Sequence, residues 1–69
     1  MITIVTNFIK EHRTARNISQ VQMAKDLDIT RQTINAIESH KYNPSLELAL
    51  KLMQYFEVPI EELFKLEED

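Results

Sequence analysis

Two short amphipathic segments between residues 19 and 39 are joined by only three residues, and this spacing constrains the fold more than any other feature of the chain. The apolar residues of the two segments recur at helical spacing and are Met23, Ala24, Leu27, Ile34 and Ile37. Ser19 and Thr30 each precede a segment, where a side-chain hydroxyl can accept a hydrogen bond from an unpaired first-turn N–H. We therefore predict helices over about residues 20–27 and 31–39.

The second of these helices opens with polar residues that can recognise DNA bases. Arg31, Gln32 and Thr33 lie on the polar side of its first turn. Arg forms bidentate hydrogen bonds with guanine, and Gln or Asn with adenine, in the major groove. A helix-turn-helix places its second helix in that groove, with its N-terminal residues nearest the bases. The segment predicts sequence-specific binding to double-stranded DNA; the alternative is the ordinary solvated face of a small helical domain.

The rest of the chain supplies the remaining elements of the predicted fold. Three further helices are predicted over about residues 7–16, 45–56 and 59–64. Thr6 or Asn7 can cap the first of them, and Pro59 suits the first turn of the last. Residues 1–5 are β-prone but too few to be stable alone, and residues 63–66 are the one plausible strand partner. We predict one all-α domain spanning the whole chain, with five helices and a possible two-stranded pairing of its termini.

Glycine is absent from this chain, although three of its predicted turns favour a left-handed backbone. We expect that conformation at Asn17, Asp28 and His40. Asn, Asp and His are the non-glycine residues that adopt it most often. We therefore interpret these three positions as replaced glycines and not as missing turns.

The inward face of the first predicted helix is unusually polar. Its residues at helical spacing are Ile9, His12, Arg13 and Arg16. We interpret His12 as a packed, hydrogen-bonded histidine; the alternative is a pH sensor, because histidine titrates near neutrality. Two histidines, without cysteine or a cluster of other ligands, do not support a metal site.

Length and composition restrict the class of protein. A chain of 69 residues buries only about 60% of its unfolded surface and has no cysteine for disulfides, so we expect oligomerisation to add stability. No apolar run approaches the ~20 residues of a membrane span and no secretion signal is evident, so we expect a soluble, cytoplasmic protein. The sequence has no nucleophile–base pair, phosphate-cradling loop or metal constellation, so we predict neither an enzyme nor a cofactor.

Charge is distributed unevenly, which bears on DNA binding because the net charge is −3. Residues 1–41 contain six Lys or Arg and four Asp or Glu. Residues 42–69 contain only two Lys or Arg but seven Asp or Glu. The acidic part would have to face away from the duplex. We expect modest affinity that falls steeply with salt, because few phosphates can be neutralised.

The predicted helix over residues 45–56 is apolar on two sides, which is more than one small core can cover. One stripe contains Leu46, Met53 and Phe56 with Ala49 or Leu50, and the other contains Leu48, Leu52 and Tyr55. The second stripe and the residues after it could be plain core. We favour a homodimer contact drawn from Leu52, Tyr55, Val58, Ile60 and Phe64.

The loop after the second helix-turn-helix segment has two interpretations. Lys41, Tyr42 and Asn43 stand there, immediately before Pro44. They either only shape the loop or contact phosphates beside the recognition helix, and the sequence leaves both open.

Taken in order, these residues resemble the Cro/XRE-type, or lambda-repressor-like, helix-turn-helix family. The resemblance covers about residues 7–64 and rests on Ser19-Gln20, Met23-Ala24, Leu27, the run from Ile29 to Ile34, Ile37-Glu38 and the run from Tyr42 to Ser45. The Thr-Arg-Gln-Thr-Ile and Lys-Tyr-Asn-Pro-Ser stretches look most like short stand-alone members such as the cytolysin repressor. The resemblance implies five helices, a two-fold dimer, a roughly palindromic operator and repression of the protein's own or neighbouring genes.

The resemblance also assigns roles to individual residues. The DNA contacts that it implies are Gln20, Thr30, Arg31, Gln32, Thr33 and Asn35. Three of them, Arg31, Gln32 and Asn35, would read bases, and the others would contact phosphates, the sugar–phosphate backbone or a flanking base. It further implies that Arg13 pairs with Glu38; an ordinary surface pair is the alternative.

This chain departs from the family at a few positions. Glycine is usual where it has Asn17, Asp28 and His40, and an aliphatic residue is usual at His12. Ala36 stands where some relatives carry a longer base-reading side chain, so base recognition here would use fewer contacts. A second class of function stays open, namely a protein-interaction module or antitoxin-type protein whose acidic surface binds a partner protein.

Overall fold

The computed structural model describes residues 3–68. Its elements in chain order are β1 (Thr3–Asn7), α1 (Ile9–Ala15), α2 (Gln20–Leu27), α3 (Arg31–Glu38), α4 (Leu46–Phe56), α5 (Ile60–Leu63) and β2 (Phe64–Glu68). The five helices confirm the helical architecture. The small sheet makes the fold not strictly all-α. Within residues 3–68, no helix has the length and apolar character needed to cross a membrane.

The two strands confirm the pairing of the terminal segments. They run antiparallel, in a register that begins with Thr3 opposite Glu68 and ends with Asn7 opposite Phe64. Leu63, which was included in both the predicted fifth helix and the predicted second strand, ends α5 and is fully buried. Residues 1 and 2, which were predicted to belong to the first strand, lie outside the described residues.

The predicted apolar stripes of α2 and α3 form the centre of the core. Core residues with the lowest exposure are Ile9, Met23, Ile34, Ile37, Leu52 and Leu63. On α4 the buried residues are Leu48, Ala49, Leu52 and Phe56. Leu46 and Leu50 remain 73% and 49% exposed, so α4 buries parts of both predicted stripes and turns two leucines outward.

Side-chain hydroxyls cap three of the helices. The hydroxyl of Ser19 accepts a hydrogen bond from the backbone N–H of Gln22 at 3.0 Å, and that of Thr30 accepts from Thr33 at 3.1 Å. Ser45 caps α4 in the same way. These caps satisfy N–H groups that have no partner within the helix.

The first helix begins later than predicted, because residues proposed as its cap belong to β1. Its N-cap is Phe8, whose side chain makes no capping hydrogen bond. Asn7 still serves the helix end, since its Oδ1 accepts from the N–H of Ile9 at 3.1 Å. Its Nδ2 donates to the carbonyl of Ile37 at 2.9 Å. One buried amide therefore joins β1, α1 and α3.

Left-handed backbone occurs at the three expected positions and at one more. Asn17, Asp28 and His40 have φ of 57°, 57° and 63°. Glu57 also has φ of 57°, which was not predicted. It ends α4, and the next N–H, that of Val58, donates back to the carbonyl of Met53 at 3.2 Å. This closure turns the chain sharply before Pro59.

Candidate DNA interface

The turn between α2 and α3 leaves the polar side of α3 uncovered. Asp28 closes α2 in the left-handed conformation, and the N–H of Ile29 donates to the carbonyl of Ala24 at 3.0 Å. Ile29 itself packs against the core. Because Ile34 and Ile37 are 1% and 2% exposed, the opposite side of α3 must face solvent.

Most of the predicted base-reading and backbone-contacting residues lie on that uncovered side. Exposed residues here are Thr30, Arg31, Gln32 and Asn35, while Thr33 is half-buried. Arg31, Gln32 and Asn35 line one shallow depression of about 210 Å³. The hydroxyls of Thr30 and Thr33 lie 2.9 Å apart at the start of the helix. The three side chains that can hydrogen-bond to bases are therefore adjacent.

A buried ion pair joins α1 to the end of α3. Nε of Arg13 lies 2.7 Å from Oε2 of Glu38, and its Nη2 lies 3.1 Å from Oε1. The two side chains are only 11% and 4% exposed. Hydrogen bonding to the Glu38 carboxylate raises the pKa of Arg13, against a smaller opposing effect of burial. The pair is thus bidentate and mostly shielded from water, unlike an ordinary surface pair.

Gln20 extends this pair toward the exposed surface. Its Nε2 donates to Oε1 of Glu38 at 3.0 Å, and its Oε1 accepts from Nε of Arg31 at 3.2 Å. Arg13, Glu38, Gln20 and Arg31 therefore form a continuous chain of hydrogen bonds, which we call the Arg13–Arg31 chain. The link between the buried pair and the exposed arginine was not predicted from the sequence.

The three loop residues after α3 are exposed. The N–H of Lys41 donates to the carbonyl of Ala36 at 3.0 Å, which ties the loop to α3. Lys41, Tyr42 and Asn43 consequently stand beside the end of the helix with their side chains accessible. This placement suits contact with a phosphate strand flanking the groove.

His12 lies on α1, where its side chain faces α5 and not the polar side of α3. Its Nε2 is 3.1 Å from the carbonyl oxygen of Glu62, and its Nδ1 is 3.1 Å from Nη1 of Arg16. Since a carbonyl only accepts and a guanidinium only donates, Nε2 carries the ring proton. Arg16 also donates to the carbonyl of Phe56 at 3.0 Å and lies 5.0 Å from the centre of its ring. The half-buried histidine therefore cross-links the end of α4, α5 and α1.

A second depression, lined mostly by apolar residues, lies between the two strands, the loop before α4, and helices α4 and α5. This apolar groove, of about 260 Å³, is lined by Val5, Asn43, Pro44, Leu46, Ala49, Ile60 and Phe64. Leu66 pairs directly with Val5 across the sheet and is 68% exposed, so it extends the apolar surface. Asn43 lines the groove and is also part of the loop that follows α3.

The structure shows which of the predicted dimer-contact residues are accessible to a second copy of the protein. Of the five predicted residues, Ile60 and Phe64 line the apolar groove. Leu52 is 1% exposed and belongs to the core, so it offers no surface to a second copy. Tyr55 and Val58 are half-buried and pack against the core. Leu46 was not predicted to lie on the surface, because apolar spacing alone does not fix the rotation of α4.

Tyr55 has a different partner from the one expected. Its hydroxyl donates to Oδ2 of Asp26 at 2.6 Å, which links α4 to α2. The hydrogen bond from Tyr55 lowers the pKa of Asp26, and the hydrogen bond from Gln22 lowers it further by a smaller amount. Burial of the phenol, and to a smaller extent its hydrogen bond to Asp26, raises the pKa of Tyr55 to about 12.

These shifts predict how the contribution of the Tyr55–Asp26 bond to stability depends on pH. Asp26 has a lowered pKa in the folded state, so its contribution is present at neutral pH and is lost in acid as the carboxylate protonates. Tyr55 has a raised pKa, so its contribution is complete below pH 10.0 and is lost as pH rises toward 12. We expect Tyr55→Phe to melt below wild type at pH 7, with the difference shrinking at both extremes.

Circular-dichroism melts of both proteins across pH measure this dependence. Tyr42→Phe is the matched control, because it removes an exposed phenol hydroxyl. A melting difference for Tyr55→Phe that is constant from acid to neutral pH would contradict a bond to an ionised carboxylate.

Comparison with known proteins identifies the family. The helix-turn-helix family model matches residues 9–63. An HTH-type transcriptional regulator of Methanocaldococcus jannaschii is 48% identical over 63 residues, covering 91% of this chain and 96% of that protein. The HTH-type transcriptional regulator YgzD of Bacillus subtilis is 43% identical over 63 residues, with the same coverage.

A more distant relative and a solved structure extend the comparison. The HTH-type transcriptional activator BcrR of Enterococcus faecalis is 35% identical over 60 residues, which cover 87% of this chain and 29% of that protein. A crystal structure of a Bacteroides fragilis protein assigned to DNA binding has a TM-score of 0.81 at 22% identity, covering 90% of this chain and all of that one. At that identity the likeness supports the fold alone. Sequence, fold and relatives together show that this chain belongs to the Cro/XRE-type helix-turn-helix family of DNA-binding transcriptional regulators.

Proposed function

We propose that the protein is a homodimeric repressor that binds a roughly palindromic operator. This proposal rests mainly on the position of Arg31, Gln32 and Asn35, which lie next to one another on the uncovered side of α3. All three are among the residue types that form bidentate hydrogen bonds with purines in the major groove. A dimer that covers promoter DNA represses by occupancy alone.

The remaining contacts of this proposal orient the helix on the duplex. Thr30 and Thr33 stand at the N-terminus of α3, where hydroxyl and backbone N–H groups bind phosphate oxygens. Lys41, Tyr42 and Asn43 contact phosphates at its other end. Such contacts set position and affinity but carry no sequence information.

The proposed homodimer forms through the apolar groove. Leu46 is 73% exposed and Ile60 is 41% exposed, and large apolar residues clustered on a surface favour a partner. Groove residue Asn43 belongs to the loop after α3, so a second copy seated here would place one recognition helix on each side of a two-fold axis. A two-fold contact uses the same surface on both copies, which a single self-complementary groove allows.

Replacing a base-reading residue and a phosphate-contacting residue tests these roles. We expect Gln32→Ala to cost ~1–3 kcal/mol on the preferred duplex and to relax preference at one base pair in each half-site. We expect Lys41→Ala to weaken binding to all duplexes about equally and to reduce the salt slope by about 1. Fluorescence anisotropy on duplexes varied one base pair at a time separates the two patterns. If both variants change preference in the same way, the assignment of roles is wrong.

A further inference from the structure

The hydrogen-bonding pattern of the small sheet shows which backbone groups of β1 face outward. The N–H of Phe8 donates to the carbonyl of Leu63 at 2.9 Å, so these two residues form a hydrogen-bonded pair at the end of the sheet. Hydrogen-bonded and non-hydrogen-bonded pairs alternate along an antiparallel ladder. Val5 and Thr3 stand three and five residues before Phe8, so they belong to non-hydrogen-bonded pairs. Their N–H and C=O groups therefore point away from β2.

These outward-facing groups form an open edge of the sheet. Within residues 3–68, the N–H and C=O groups of Thr3 and Val5 donate to and accept from no other backbone group outside the sheet. Thr3 is exposed and Val5 is half-buried. A row of unpaired N–H and C=O groups on a strand is a template for pairing with another strand. The edge of β1 is thus able to accept one.

The two edges of the sheet differ in charge. β1 carries no charged side chain, whereas β2 carries Lys65, Glu67 and Glu68. Charged residues on an edge strand are a common protection against the addition of further strands. Because β2 has this protection and β1 does not, we expect strand addition at β1 only. The assembly would then stop at two copies, since β2 would form both outer edges of the joined sheet.

Val5 connects the open edge to the apolar groove. Its side chain lines the groove, while its N–H and C=O belong to the edge. A second copy seated in the groove therefore lies next to the edge as well. A two-fold axis perpendicular to a strand generates an antiparallel copy of it, so β1 of each copy can contact β1 of the other.

We propose that β1 pairs antiparallel with β1 of a second copy, so that two sheets join into one of four strands in the order β2-β1-β1-β2. This inference rests on the proposed homodimer and deepens it by naming a backbone contact between its two copies. The apolar groove supplies buried surface, and the strand pairing fixes the orientation of one copy relative to the other. It therefore also fixes the relative orientation of the two recognition helices.

Amide hydrogen exchange of the wild-type protein tests the pairing, at a concentration where sedimentation shows a dimer. We expect the N–H of Val5 to exchange as slowly as that of Thr6, which faces β2. The N–H of Leu66 is the control, because it points outward on the charged edge and should exchange fast. If Val5 exchanges as fast as Leu66 in the dimer, the strand pairing is wrong and the homodimer stands.

Proline substitutions measure what the same N–H contributes to association. Val5→Pro removes an outward-facing N–H and no bond to β2, and Leu66→Pro does the same on the opposite edge. We expect Val5→Pro to raise the dimer dissociation constant about tenfold and Leu66→Pro to raise it less than about threefold. Equal effects of the two substitutions would overturn the pairing.

The remaining outcomes separate this inference from the proposed function. A wild-type protein that sediments as a monomer at every concentration would overturn both the homodimer and the strand pairing. DNA binding by α3 is measured separately by the duplex titrations. Circular-dichroism melts show whether each proline variant is folded, and if Val5→Pro is not, the exchange rates at Val5 and Leu66 in the wild type decide.

Discussion

Replacing Arg13 with methionine is expected to lower the free energy of unfolding by ~3–5 kcal/mol, because it leaves the buried Glu38 carboxylate without its cation. Glu38 would keep only the hydrogen bond from Gln20. The carbonyl of Ile18, which now accepts from Arg13 Nη1 at 2.9 Å, would also lose a donor. A core of this size supplies only ~3–5 kcal/mol, so the variant should be largely unfolded at physiological temperature. Urea unfolding followed by circular dichroism measures the loss.

A double replacement separates the cost of a lone buried charge from that of lost packing. Arg13→Met with Glu38→Met removes both charges and keeps two apolar side chains of similar length. We expect it to be more stable than Arg13→Met alone, since no ion is left buried without a partner. Lys51→Met is the control, because its pair with Glu47 is 51% and 81% exposed and should contribute less than ~1 kcal/mol. Equal losses for Arg13→Met and Lys51→Met would show that burial adds nothing to the Arg13–Glu38 pair.

Replacing Leu46 with glutamate is expected to dissociate the proposed homodimer and to weaken binding to the proposed operator by about 10²–10⁴-fold. Leu46 lines the apolar groove and is 73% exposed, so the substitution leaves the core of the monomer intact. In a two-fold dimer it introduces a carboxylate twice, close to the symmetry axis. Each half-site would then bind a separate monomer, without the high effective concentration that linked sites provide.

Analytical ultracentrifugation and DNA titration of the same variant measure both effects. Val21→Glu is the control for self-association, because Val21 is also apolar and 60% exposed but lies on α2. A Leu46→Glu protein that sediments as wild type would rule out the groove as the dimer contact. Dissociation without loss of affinity would show that dimerisation is not needed for binding.

Local signals in the sequence were sufficient for the helix-turn-helix and its caps. Ser19 and Thr30 act on N–H groups within three residues of themselves, so their roles follow from spacing. Asn17, Asp28 and His40 adopt left-handed backbone because their short or polar side chains tolerate it. These features depend on neighbours in the chain, which a single sequence displays.

Features that depend on distant partners could not be predicted. Asn7 belongs to a strand because that strand pairs with β2, at the far end of the chain. The rotation of α4, which exposes Leu46 and Leu50, is set by the shape of the whole core. Glu57 was missed for a different reason: glutamate has no particular tolerance for positive φ, and the turn before Pro59 imposes it.

The candidate site also combines features that follow from the local sequence with features that depend on distant residues. Spacing and residue type placed Arg31, Gln32 and Asn35 on one polar face, because helical periodicity suffices for that. The hydrogen bonds of Gln20 could be found only from coordinates, since its partners Glu38 and Arg31 lie 18 and 11 residues away. A glutamine at the start of a helix carries no sequence signal that separates a phosphate contact from a link within the protein.

Selection of random duplexes by the wild-type protein, at low and at physiological salt, measures whether α3 reads DNA sequence. We predict enrichment of two inverted half-sites whose centres lie about one helical turn, ~34 Å, apart. Binding to them should weaken steeply as salt rises. Failure to retard any labelled duplex at low ionic strength, or retention without enrichment of any sequence, would contradict the account that α3 reads DNA bases.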